Sequence, residues 1–202
     1  GIENIGEKIK DAESRVDQLY TELKNLALDL SRKRKKAAGR FAKSVTDQLA
    51  TLKMSKTDFD VEVQAAPADK NTDPYLTVEK QAISEIGIDR ATFLIAPNVG
   101  EDLKPLASIA SGGELSRVVL ALKALLAKTE SVETVVFDEV DAGIGGGAAE
   151  VVGKKLARLA AYHQVLCITH LPQIAKFGSH HFIISKHIVK GRTATAINFL
   201  SA

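Results

Sequence analysis

Apolar side chains at Ile2, Ile5, Ile9, Ala12, Val16, Leu19, Leu23, Leu26 and Leu30 follow one another by alternating steps of three and four residues. That 3.5-residue repeat lines one seam of a helix and is the signature of a coiled coil. At about 1.5 Å per residue, a helix from Asn4 to Lys53 runs roughly 75 Å, more than a compact chain of this size needs, so it is expected to project from the body. A lone seam leaves apolar surface bare. A second strand, from sequence outside this chain or from another chain, is therefore expected along it.

Past Leu30 the helix turns basic: Arg32, Lys33, Arg34, Lys35, Lys36, Arg40 and Lys43 follow with no acidic residue before Thr46. Through Lys53 there are 12 basic and 8 acidic residues, against 15 and 17 in the remainder. Clustered cations of this kind neutralise nucleic-acid phosphates, and they equally make an ordinary solvated helix face. Both readings stand at this point.

With 45% apolar and 26% charged residues and a net charge of +2, the 202-residue chain can bury a core as one large domain or two small ones. No run of 18 apolar residues offers a membrane span, and the first dozen residues are too charged for a signal peptide. The single Cys167 sits in an apolar run, as expected in a reducing, cytoplasmic setting. Gly1 stands where an initiator methionine would, which reads as a fragment or trimmed chain.

From Thr57 the pattern shortens. Phe59, Val61 and Val63 alternate with polar residues as in a half-buried strand, 67–74 reads as a loop, and strands are expected at 76–79 and 92–96. Gly87 and Asp89-Arg90 mark the intervening turn. Helices are then expected at 114–128, 146–161 and 171–177, interleaved with strands at 134–138 and 164–169. A closing hairpin of strands 181–187 and 193–199 turns at Lys190-Gly191. Strands separated by helices predict an α/β fold with a mostly parallel sheet.

Three stretches carry chemistry. Ser111-Gly112-Gly113 opens a helix, where free amides and the dipole favour a phosphate, although Ser111 and Glu114 also satisfy a capping box that needs no ligand. The run Thr134 to Phe137 reads as a strand buried on both faces, ending in Asp138 and Glu139. On an extended chain these acids point to opposite sides, suiting Asp138 to hold Mg²⁺ and Glu139 to act as general base on water. A second apolar run ends in His170, placed to meet a terminal phosphate or the attacking water. Cys167 and His170, on opposite faces of a strand, do not make a metal pair.

Ser111 precedes Asp138 by 27 residues, and Asp138 precedes His170 by 32. Together with IASGGELSR at 109–117, VVFDEVDAGIGG at 135–146 and CITHLPQIA at 167–175, this order resembles the ABC-type ATPase heads of the SMC-like family. The stretches 93–106 and 185–195 also fit, so the resemblance covers nearly the whole chain. It implies a coiled-coil arm at 1–53 and the C-terminal half of an ATPase head at 54–202. In that family's roles, Ser111, Gly112 and Gly113 are the signature motif, contacting ATP on an opposite head. Asp138 is the magnesium ligand, Glu139 the catalytic base, His170 the switch histidine and 140–145 the D-loop. Ala110 replaces a common Leu, Glu114 replaces a Gln, and the usual D-loop acid falls on Gly145, leaving Asp141 as a candidate substitute.

The phosphate cradle G-x-x-x-x-G-K-[ST] is absent: Gly153 alone precedes a lysine, with Ala148 and Lys155 in the wrong places. The resemblance puts that cradle in an N-terminal half of the head. Hydrolysis of ATP, used with Mg²⁺, is thus expected only when that half and a second head join this chain, in the service of DNA break repair and recombination. No membrane partner is expected, and a nucleoid-associated cytoplasmic location is. A non-enzymatic coiled-coil scaffold and a DNA-binding module are the competing readings.

Overall fold

The structure is a computed structural model describing residues 2–109, 111–129, 133–189 and 191–200. Ala110, and Lys190 where the hairpin turn is expected, lie outside the described residues. The chain divides into two compact units, one of residues 1–44, 58–96 and 102–105, the other of 45–57, 97–101 and 106–202. These units cut across the sequence boundary at 53/54 because residues 58–96 pack onto the helix.

The heptad spacing and the absence of proline make α1 a continuous helix over Ile2–Thr51. In the first unit, β1 (Asp58–Ala65), β2 (Thr77–Val78), β3 (Gln81–Ala82), β4 (Asp89–Ala96) and β5 (Lys104–Pro105) are all paired antiparallel. The alternation read at Phe59, Val61 and Val63 is the β1–β4 ladder, with Phe59 opposite Ile95 and Val61 opposite Phe93. Phe59 is buried beside Phe41 of α1 and Phe93, with ring centroids 5.7 to 6.5 Å apart. Two turns differ from expectation. The strand expected at 76–79 stops at Val78, because Glu79 and Lys80 take left-handed backbone angles and turn the chain into β3. Asp89 and Arg90 lie inside β4 rather than in its turn, which Gly87 makes at φ +97°.

One flank of α1, touching the seam at Leu23, acquires a covering that the sequence does not anticipate. Val78, Ile83 and Ile88 form a buried cluster with Ala27, against which Leu23 and Leu28 pack, and the Tyr20 hydroxyl donates to the Thr77 carbonyl at 2.8 Å. Part of α1 is thus covered by this chain's own residues 75–88. The other described seam positions, Ile5, Ile9, Ala12, Val16, Leu19, Leu26 and Leu30, remain exposed, Leu26 at 69%.

The second unit holds the end of α1, where Val45 and Leu49 are buried, the buried Leu52 just after it, and the elements α2 (Gly112–Leu126), β6 (Thr134–Phe137), α3 (Gly146–Leu159), β7 (Gln164–Cys167), α4 (Pro172–Ala175), β8 (His181–Val189) and β9 (Arg192–Leu200). The β6–α3–β7 crossover gives the expected parallel pair, Phe137 opposite Cys167. Among the described residues, parallel pairing is confined to this pair. Strands joined by tight turns, such as β8 and β9 with Val189 opposite Arg192, can only run antiparallel. The architecture is α/β, with a parallel sheet and a long N-terminal helix.

β6 is not buried on both faces. Val135 and Phe137 are enclosed, whereas Val136 is 60% exposed and Leu166 of β7 is 49% exposed. Burial therefore alternates along a run that is apolar throughout, one face of the pair enclosed and the other open.

Candidate functional site

The second unit gathers the chemistry-bearing residues around the loops that follow β6 and β7. Ser111 caps α2, its backbone extended at φ −90° and ψ 114° while its Oγ accepts the Glu114 amide at 3.4 Å. Ser111 and Gly112 are exposed and Gly113 is buried. A Cβ built on Gly112 collides with the Glu139 carboxylate. One on Gly113 falls 2.6 Å from Ala142 Cβ and 3.1 Å from the Glu139 carbonyl oxygen. Gly113 is therefore needed for packing, and Gly112 is the glycine left facing solvent.

Two side chains of α2 fix that approach. Ser116 Oγ donates to the Asp138 carbonyl at 2.5 Å, and Arg117 Nη1 donates to the Ala142 carbonyl at 2.8 Å. Arg117 is itself buried, and desolvation lowers its pKa. Within one chain, the start of α2 and the acid pair are thus neighbours.

The acids lie beyond the strand. β6 ends at Phe137, one residue earlier than predicted, so alternation along an extended chain does not set their directions. Instead Asp138 Oδ1 accepts the Glu139 amide at 2.9 Å, and Glu139 takes a left-handed φ of +56°, uncommon for a residue with a side chain. Both acids are exposed.

His170 also lies past its strand. β7 closes at Cys167, and Thr169 and His170 sit in the loop before α4, so the opposite-face argument for Cys167 and His170 does not apply. The group that places the histidine is Asp141. Its buried Oδ2 accepts the Thr169 hydroxyl at 2.5 Å and the His170 amide at 3.0 Å, and lies 3.1 Å from His170 Nδ1. Thr169 Oγ1 in turn accepts the Leu171 amide at 3.1 Å. Burial pushes the Asp141 carboxyl upward, but these donors and the imidazole outweigh it and hold the pKa below the ordinary value. The same carboxylates act on Cys167 in the opposite sense. Burial, then Asp141 and Asp138, push its thiol up to about 11.

The loop at 139–144 therefore touches both the α2 start and the histidine loop. Asp141, at first only a stand-in for a D-loop acid, is the residue that links the ends of β6 and β7. Its one local signal was spacing, three residues after Asp138. Gly153 is a packing glycine in α3: a Cβ there meets the Phe177 ring and lies 3.2 Å from the Gln173 carbonyl oxygen. Among the described residues no group of three or more His, Cys, Asp or Glu could enclose a metal. The donor chemistry at Asp138, one carboxylate open to solvent, fits Mg²⁺, which keeps several water or phosphate oxygens and needs only one or two carboxylates.

No protein-family model matches the chain. It is 37% identical over 201 residues to the DNA repair protein RecN of Bacillus subtilis (strain 168), covering 99% of this chain and 35% of that protein. It is 42% identical over 184 residues to the DNA repair protein RecN of Mycobacterium leprae, covering 88% of this chain and 31% of that one. It therefore spans about a third of the length of these curated relatives. Among solved structures, the Smc head domain with a coiled coil and joint from Pyrococcus yayanosii superposes with a TM-score of 0.53 at 18% identity, over 98% of this chain and 32% of that one. That likeness shows a shared fold.

Proposed function

The chain belongs to the RecN family of DNA repair proteins along nearly its whole length, and on that premise we propose that it supplies the C-terminal half of an SMC-like ATPase head acting in double-strand break repair and recombination. The observation that carries the reading is the junction of α2, the Asp138-Glu139 turn and the His170 loop around residues 139–142.

In this reading residues 1–53 are the arm and 54–202 the half-head. Ser111, Gly112 and Gly113 present the start of α2 to the γ-phosphate of ATP held by an opposite head, with Gly112 the exposed member of the pair. Asp138 holds Mg²⁺, which when bound offsets charge on the phosphates. Glu139 takes the proton of the attacking water, and His170 hydrogen-bonds the terminal phosphate or that water. The cradle that grips the phosphates comes from an N-terminal half of the head, so this chain alone does not turn over ATP. ATP draws two heads together, hydrolysis releases them, and DNA is the partner on which the cycle acts, in the cytoplasm at the nucleoid.

The test uses the full-length protein carrying this segment and a phosphate-cradle half. Glu139→Gln should abolish steady-state phosphate release while accumulating an ATP-dependent dimer on size-exclusion chromatography. Wild-type turnover by the variant, or turnover by residues 1–202 alone, overturns the reading.

A further inference from the structure

Asp141 has no function in the reading above, yet it is buried and carries more interactions than either acid of the pair. Three donor positions converge on its Oδ2: the Thr169 hydroxyl, the His170 amide and His170 Nδ1. A carboxylate at neutral pH only accepts, so the ring nitrogen facing it must carry the proton. The amide bond fixes the backbone of the histidine and the ring interaction fixes its imidazole. The Thr169 hydroxyl holds the loop that bears both.

We infer that Asp141 is the positioning residue of the switch histidine, fixing His170 in its Nδ1–H tautomer so that Nε2 is the atom offered to the nucleotide. The inference rests on the proposed ATPase reading for its consequence, and on the three interactions at Oδ2 for its geometry. The His170 side chain is 77% exposed, so little else restrains it. A neutral imidazole held this way presents a lone pair at Nε2 and accepts a hydrogen bond from water. Once protonated, it donates from Nε2 to a phosphate oxygen. Without Asp141 both the ring direction and the tautomer are released. A small misplacement of a catalytic group can lower a rate about a hundredfold.

The experiment compares Asp141→Ala, Asp141→Asn, His170→Ala and the Asp141→Ala/His170→Ala double variant in the full-length protein. Asp141→Ala and His170→Ala should each lower kcat for ATP by about a hundredfold with KM and ATP-dependent dimerisation within about twofold, and the double variant should be no slower than His170→Ala. Asp141→Asn keeps an acceptor oxygen and should recover part of the rate. A double variant slower by the product of the two single effects, or an Asp141→Ala enzyme at wild-type rate beside an impaired His170→Ala, overturns the inference and leaves the ATPase reading intact. A His170→Ala enzyme at wild-type rate overturns the role of His170 itself. Should Asp141→Ala fail to fold, ¹⁵N-imidazole NMR of the wild-type protein decides the geometry. An Nδ1–H ring at His170 supports the inference, and an Nε2–H ring overturns it.

Discussion

Arg34 Nη1 lies 2.7 Å from Asp89 Oδ1 and 3.1 Å from the Asp89 carbonyl oxygen, joining the long helix to the first residue of β4. The carboxylate is fully buried and the arginine only partly so. Burial raises the Asp89 pKa, but the Ser31 hydroxyl and Arg34 outweigh it and hold the group below its ordinary value of 3.8. Replacing Arg34 by Met strands a buried charge and should cost about 3 kcal/mol in chemical denaturation at pH 7. Because the folded value is depressed, the stabilisation is complete above the unfolded value and fades as pH falls through the folded one. Wild-type stability should drop below about pH 4, and Arg34→Met should show a smaller drop. Equal stability of the two proteins at pH 7 would show that the pair contributes nothing.

The adjacent glycines of α2 should part company on substitution. Gly113→Ala drives a methyl into Ala142 and the Glu139 carbonyl, neither of which is a flexible side-chain end, and should lower stability by about 1–3 kcal/mol. Gly112→Ala meets only the tip of the Glu139 side chain, which can swing aside. Thermal melts of Gly112→Ala should match wild type while ATP turnover by the full-length protein falls, because the displaced carboxylate is the proposed base.

The cations of the basic stretch are not equally placed to meet the proposed DNA partner. Arg32 and Lys33 both pair with Asp29, and Arg34 is engaged by Asp89. Lys35, Lys36, Arg40 and Lys43 are exposed. Neutralising Lys36, Arg40 and Lys43 should flatten the salt dependence of DNA binding, by about 0.9 in the log–log slope for each phosphate that a side chain no longer neutralises. Neutralising Arg32 and Lys33 should change it less. A reversed order in a fluorescence-anisotropy salt series would move the DNA surface elsewhere.

Cys167 should be chemically quiet. A thiol pushed up to about 11 is ionised at roughly one part in a thousand at pH 8, and the thiolate is the species that reacts. Iodoacetamide should alkylate the native protein far more slowly than the urea-unfolded one. Comparable rates would mean the burial around Cys167 is not maintained in solution.

Periodicity made α1, the β1–β4 alternation and the β6–α3–β7 crossover readable, because each is a local pattern repeated over several residues. What escaped reading was long-range. Nothing near Leu23 or Ala27 announces that Val78, Ile83 and Ile88 will cover them. The acid pair and the histidine were located by their place after apolar runs, yet their directions were not, since β6 and β7 each stop short and the following turns set the geometry. Asp141 was visible as a residue but not as a hub, because Thr169 and His170 reach it only once two parallel strands lie side by side. Gly113 and Gly153 illustrate the same limit: sequence marks a glycine, and only packing says whether it serves a ligand or a neighbour.

Glu139 sits where the backbone favours glycine or asparagine, at φ +56°. A chain selected for folding alone would relax that residue, so Glu139→Gly should raise the melting temperature even as it removes the acid. Position 139 is thus a place where durability and chemistry pull in opposite directions, and a screen for thermally hardened variants of this segment should drift toward losing its glutamate.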